Sequence, residues 1–189
     1  MNHMRQADFE ARYREDPDPW SYTTSGYERE KYAATLAACG QPPFGTAIEL
    51  GSSIGVFSLM LAPHCRSLVA VDAAPTAVAA ARRRLDAFES VTTILGTIPE
   101  AIPRRSYDLV VASEILYYLE PAELSSTLAV LRDCMRPGAR LVAVHWRPPG
   151  PERPFDAAEV HALVRRQSWL AQVASEARPD YLLDVLERR

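Results

Sequence analysis

The chain has 189 residues, 48% hydrophobic and 24% charged, with 21 Lys and Arg against 24 Asp and Glu. These proportions describe a globular protein of one domain's size, expected here over residues 1–189 with residues 1–40 as an N-terminal arm or lid helix. A net charge of -3 with dispersed basic residues supplies no electrostatic footprint for nucleic acid. No stretch approaches the ~20 apolar residues of a membrane span, and the N-terminus lacks the apolar run of a signal peptide, so a cytoplasmic protein without a membrane partner is expected. Cys39, Cys65 and Cys134 form no Cys-x-x-Cys pair and read as reduced thiols with no metal to hold.

Residues 1–22 are polar and contain Asp16-Pro-Asp-Pro-Trp20, whose prolines exclude a continuous helix, so this stretch reads as a linker or arm. A helix is expected over residues 24–39, with Tyr27, Tyr32 and Leu36 near one face, and Gln41-Pro-Pro-Phe-Gly45 ends it. Beyond that stop, short apolar runs alternate with amphipathic segments. Strands are expected at 47–50, 68–71, 91–95, 109–112 and 140–144, and helices at 56–61, 76–88, 122–135 and 156–166. Alternation of this kind is the βαβ signature, and continuous apolar strands imply a parallel sheet covered on both faces, a doubly wound α/β fold. Segments 169–173 and 181–186 are joined by too short a connection for a parallel crossover and should pair antiparallel.

In such a sheet, ligands bind beyond the C-terminal ends of the strands, at the switch in strand order. The first tip, Glu49-Leu-Gly-Ser-Ser-Ile-Gly55, places glycines at 51 and 55, which permit a tight turn and close approach of a ligand to backbone amides. Taken alone, the spacing also describes an ordinary tight turn. The second strand ends in Asp72, 21 residues after Gly51, where one carboxylate can accept both hydroxyls of a ribose; a helix N-cap ahead of Pro75 is the alternative. Two glycines instead of three, with Glu49 ahead of the first, favour a methyltransferase over a nicotinamide-dependent reductase. Tyr27 and Lys31 have the Tyr-x-x-x-Lys spacing of short-chain dehydrogenases, but they precede the glycine loop, so that spacing reads as coincidence.

The fourth strand ends in Ser113-Glu114, followed by Tyr117 and Tyr118; one tyrosine is expected in the core and Tyr118 in the pocket. The fifth strand runs into His145-Trp146-Arg147. A histidine at that rim titrates near neutrality, so His145, or Glu114 beside it, is expected to take a proton from an acceptor. His161 is a weaker contender, and His3 and His64 are assigned to the surface. Arg147 and Arg153, in the proline-rich segment, suit a phosphate or carboxylate as well as a sugar.

The blocks Asp18-Pro-Trp20, Tyr27-Glu-Arg-Glu-Lys31, Glu49 to Gly55, Leu61-Ala-Pro-His-Cys65, Val71-Asp72 and Tyr107 to Leu119 resemble the class I S-adenosylmethionine-dependent methyltransferases, and within them the nodulation protein S N-methyltransferase family. That resemblance implies a Rossmann-like seven-stranded sheet with the last strand antiparallel. It implies S-adenosylmethionine as cofactor, leaving as S-adenosylhomocysteine. By the resemblance Glu49, Gly51, Ser52 and Gly55 border its methionine part, with Ser53 where a second glycine is usual. Asp72 takes the ribose and Ala73 lies beside the adenine. Gly96, Thr97 and Ile98 form the loop that usually offers an acid to the adenine amine, here replaced by the uncharged Thr97 hydroxyl. Ser113 and Glu114 flank the sulfonium, and Trp20 and Tyr27 close over the cofactor. The acceptor it implies is a small molecule, an amino-sugar amine, methylated by in-line transfer. O-methylation of a small metabolite and a non-catalytic cofactor-binding subunit are the alternatives, and a homodimer is compatible with the sequence.

Overall fold

The computed structural model describes residues 5–148, 150 and 153–189, so His3 and part of the proline-rich segment lie outside the described residues. The polar start forms a helix, α1 (Gln6–Glu15), where the sequence reading expects a non-helical arm. Pro17 and Pro19 lie beyond its last turn and so end the helix instead of preventing it. Phe9 and Tyr13, four residues apart, share the face that packs inward, and Tyr13 is buried. α2 (Gly26–Ala38) starts at Ser25, whose Oγ accepts from the Glu28 amide at 3.3 Å.

From there strand and helix alternate: β1 (Phe44–Leu50), α3 (Val56–Leu61), β2 (Cys65–Asp72), α4 (Pro75–Arg84), β3 (Val91–Leu95), β4 (Tyr107–Ser113), α5 (Pro121–Cys134), β5 (Met135–Trp146), α6 (Ala157–Arg165), β6 (Leu170–Ala177) and β7 (Tyr181–Arg188). α4 stops four residues before the expected end. β5 begins as soon as α5 ends and continues through Trp146, so His145 lies inside the strand and not beyond it.

The seven strands run in the order β3-β2-β1-β4-β5-β7-β6. The contacts among β1 to β5 are parallel, whereas β7 is antiparallel to both β5 and β6. Side chains alternate between two apolar layers. Ile48, Leu50, Val110 and Leu141 face one side, under Leu124 and Leu131 of α5 and Val160 and Val164 of α6. Ala47, Leu68, Val111 and Val144 face the other, under Tyr32 of α2 and Phe57 and Leu61 of α3. Strand order reverses between β1 and β4, whose register aligns Leu50 with Ala112 and, on the other side, with Val71. Three strand tips therefore end level with one another, opening a crevice there. Among the described residues no helix is long and apolar enough to cross a membrane.

Candidate active site

A cavity of about 740 Å³ occupies that crevice, within the range of roughly 300–1,000 Å³ common for small-molecule sites. Its cofactor-like pole is built at the tips of β1 and β2. Gly51 has a φ of 72°, and a Cβ there would lie 2.9 Å from Ile115 Cβ, so the turn requires glycine. The amides of Gly51 and Ser52 both donate to the Val71 carbonyl at 2.9 Å, tying the loop to β2. Ser53 adopts a left-handed φ of 51° despite its side chain. Its amide donates to Asp72 Oδ2 at 2.8 Å and its hydroxyl pairs with Tyr13 Oη at 2.5 Å, contacts that offset the strain.

Asp72 also accepts from the Ala74 amide, at 2.9 Å through Oδ1. Each carboxylate oxygen thus holds one backbone N–H and keeps a second acceptor direction for a diol. The N-cap alternative is not what forms: the N-cap of α4 is Ala74 with no side-chain cap, and the Asp72 bond to the Ala74 amide braces the turn ahead of the helix while Asp72 lines the cavity. Burial raises its pKa, with the amide bonds of Ala74 and Ser53 working against it. Glu49, buried beneath the turn, accepts from Ser58 Oγ at 2.5 Å, and burial pushes its carboxyl up to about 8.

α1 forms a wall over this pole. Gln6 Nε2 donates to the Ala73 carbonyl at 2.8 Å, and Glu10 accepts from the amide and hydroxyl of Thr76 in the first turn of α4, at 2.9 and 2.8 Å. Trp20 packs on Tyr13 with ring centroids 5.4 Å apart, and Phe9 packs edge-on to Tyr118 at 5.0 Å. Aromatic faces in such number suit a cationic group.

The opposite pole is formed by α2 and the tip of β4. Lys31, the only lysine in the chain, is 2% exposed and donates to Glu28 Oε1 at 3.0 Å and Glu114 Oε1 at 2.8 Å. Burial pulls its pKa down, but the two carboxylates outweigh that and hold the ammonium above its ordinary value. Glu114, at a φ of 55°, also accepts through Oε2 from the Tyr117 hydroxyl and, at 3.0 Å, from the Trp146 amide. Its carboxylate is therefore already occupied by three donors. Glu28 differs: burial raises its pKa against the pull of Lys31, and its Oε2 is buried with no hydrogen-bond partner. The same is true of Tyr27 Oη, whose phenol burial pushes up to about 12. Both residues line the cavity.

Trp20, Tyr27, Glu49, Gly51, Ser52, Ser53, Asp72, Ala73, Gly96, Thr97, Ile98, Ser113, Glu114 and Tyr118 all line this one cavity. Tyr117 does too, buried where Tyr118 is half-buried. Gly55 does not; it is the N-cap of α3, where a Cβ would lie 3.1 Å from Ala81. His145 does not either. It is fully buried behind the wall, with Nε2 accepting from the Leu116 amide at 3.1 Å and Nδ1 paired with His161 Nε2 at 3.0 Å. Of the two arginines, Arg153 lines the cavity with its guanidinium 4.3 Å from the Tyr117 ring centroid, while Arg147 turns away to the Arg178 carbonyl. The sequence reading missed Phe9, Tyr13, Glu28 and Lys31. Glu28 and Lys31 lie within the block that carried the resemblance, three residues apart on one helix face. Among the described residues no cluster of His, Cys, Asp and Glu is arranged to hold a metal.

A 3-2-1-4-5-7-6 sheet with an aspartate at the end of its second strand is the arrangement of the class I S-adenosylmethionine-dependent methyltransferases, and the chain has that fold. The family model of nodulation protein S matches residues 5–147, and the chain belongs to that family. Nodulation protein S of Rhizobium tropici is 32% identical over 127 residues, 66% of this chain and 53% of that protein. The chain thus spans about half the length of the curated relatives it matches. A candidate methyltransferase from Pseudomonas syringae superposes with a TM-score of 0.76 at 32% identity, covering 87% of this chain and all of that one. The N-methyltransferase NodS of Bradyrhizobium japonicum WM9, solved with S-adenosyl-L-homocysteine, superposes with a TM-score of 0.81 at 22% identity over 98% of this chain and 99% of that one.

Proposed function

We propose that the protein transfers a methyl group from S-adenosylmethionine to the nitrogen of a small-molecule amine, with an amino sugar as the acceptor class. The observation that carries this reading is the joining, in one cavity, of the Asp72 pole and a pole with two unpartnered buried oxygens, Glu28 Oε2 and Tyr27 Oη. Residues at the first pole fit the cofactor: Asp72 for the ribose hydroxyls, Ala73 and Gly96 to Ile98 around the adenine, and Glu49 and the Gly51 turn near the methionine part. When bound there, the cofactor supplies an electrophilic methyl carbon.

The chain's own residues orient and deprotonate the acceptor. An amine must present a free lone pair to react, and Glu28 Oε2 is the carboxylate oxygen free to accept its N–H and then its proton. The raised pKa of Glu28 moves it towards the range in which a carboxylate exchanges protons near neutrality. Tyr27 Oη accepts a second N–H or a neighbouring hydroxyl. Lys31, itself held by Glu114, fixes Glu28 through its other oxygen. α1 and the aromatic rings exclude water, so alignment and desolvation supply most of the rate. The role expected of His145 passes to Glu28, because the imidazole has no face on the cavity.

The likeness to the N-methyltransferase NodS of Bradyrhizobium japonicum supports transfer to nitrogen. Calorimetry with S-adenosylhomocysteine and with a nicotinamide dinucleotide tests the cofactor, and only the first should bind. Methyl-labelled S-adenosylmethionine with two matched chitooligosaccharides, one fully acetylated and one with a free terminal amine, tests the acceptor. Label on the free-amine sugar alone is expected; label on neither, with cofactor bound, removes the amino-sugar assignment.

A further inference from the structure

Three buried titratable residues, His145, His161 and Asp184, form a continuous chain behind the cavity that ends on the solvent-exposed Arg165. Arg165, at the end of α6, donates to Asp184 Oδ2 at 2.8 Å, and His161 Nδ1 lies 2.8 Å from the same oxygen. His161 Nε2 meets His145 Nδ1 at 3.0 Å, and His145 Nε2 ends the chain on the Leu116 amide at 3.1 Å. Both imidazoles are fully buried and Asp184 is nearly so. The chain has one consistent proton assignment. Leu116 N–H is a donor, so His145 Nε2 carries no proton; its hydrogen sits on Nδ1 and is donated to His161 Nε2, whose own Nδ1–H is donated to Asp184. Hydrogen bonds from His161 and Ser175 and the Arg165 charge outweigh burial and hold Asp184 below its ordinary pKa, so it remains an acceptor.

What the chain ends on is informative. Leu116 opens a single 3-10 turn, Leu116–Tyr118, which follows Glu114 and bears Tyr117 and Tyr118 into the cavity. A side chain acting as a base needs a free lone pair near the acceptor, whereas both ring nitrogens of His145 are committed. The Tyr117 ring packs 4.8 Å from the imidazole, so the histidine fixes the turn by contact as well as by hydrogen bond.

We propose that His145, His161, Asp184 and Arg165 form a positioning relay: Asp184 fixes the tautomer of both histidines, and His145 Nε2 holds the Leu116 amide so that Glu114, Tyr117 and Tyr118 face the reacting groups. The kinetic part of this inference rests on the methyltransferase reading; the proton assignment does not.

Two measurements test it. Two-bond proton–nitrogen correlation spectra of the native protein, with the rings labelled with nitrogen-15, should show both His145 and His161 as Nδ1–H tautomers, with His145 neutral across physiological pH. An Nε2–H tautomer at His145 would overturn the relay whatever the protein's activity. In the second, His145→Gln and His145→Leu are compared with the native protein. A glutamine oxygen can accept from the Leu116 amide but cannot act as a base near neutrality. His145→Gln should keep kcat within about threefold, while His145→Leu should lower it about 10- to 100-fold, as expected of misplaced reacting groups. S-adenosylhomocysteine affinity should change by less than about threefold in either variant. Equal loss in both variants would return His145 to a proton-transfer role, and equal retention would leave the relay without function. If the leucine variant does not fold, the native tautomers and the glutamine variant still decide. If the native protein fails to bind S-adenosylhomocysteine, the spectra judge the relay separately from the methyltransferase reading.

Discussion

The two poles of the cavity are built on different principles. The pole around Asp72 is mostly backbone: the Gly51 and Ser52 amides on Val71, and Asp72 held by the amides of Ser53 and Ala74. The pole around Lys31 is almost entirely side chain, an ammonium shared by Glu28 on its own helix and by Glu114, 83 residues further along the chain. A backbone cradle keeps its shape when single side chains change, and it serves a ligand of fixed structure. The charged pole depends on each of its members, and differences in acceptor are expected to be written there.

Removing the shared cation should have the largest effect on stability. Lys31→Met leaves Glu28 and Glu114 facing each other in a buried site, so stability should fall by about 3 kcal/mol, or roughly 10 °C in Tm, by calorimetry. A change of under about 2 °C would mean that solvent already screens the pole. At the other pole, Asp72→Ala should leave the fold intact but weaken S-adenosylhomocysteine binding about 100-fold, about 2.7 kcal/mol by titration calorimetry. Tyr13→Phe deletes the hydroxyl on Ser53 and should weaken the same binding about fivefold, about 1 kcal/mol; unchanged affinity would make α1 a bystander.

The last effect is read as a slope with pH. With a pKa of about 8 in the fold against an ordinary 4.5, Glu49 binds more protons folded than unfolded between those values. Its contribution is complete below pH 4.5 and is lost as pH rises through 8. Glu49→Gln removes this slope, so the Tm of the variant should gain on that of the native protein across the interval. Parallel Tm curves would place the glutamate in a wetter environment.

How much of each pole was legible in the sequence follows from how it is built. Glycine spacing and an acid at the end of an apolar strand are local signals, so Gly51 and Asp72 could be read in the sequence. α1 was hidden because Pro17 and Pro19, which end it, looked like evidence against any helix, although the spacing of Phe9 and Tyr13 marked its inner face. In the sequence Lys31 stands as half of a misplaced dehydrogenase pair and inside a block of the resemblance, with nothing to give it a role. Its partner Glu114 belongs to another element, and pairing across such a separation leaves no periodic trace. His145 departs from the expectation for a geometric reason: β5 extends to Trp146, and alternation along a strand turns residue 145 towards α6 and residue 146 towards the rim of the cavity.

Glu28 is the group proposed to receive the acceptor's proton. The direct test is Glu28→Gln, measured for turnover with a free-amine chitooligosaccharide and for S-adenosylhomocysteine affinity in one preparation. Turnover about 100-fold lower with affinity within about twofold is the predicted result. Undiminished turnover, or a loss of turnover matched by an equal loss of cofactor affinity, would contradict it.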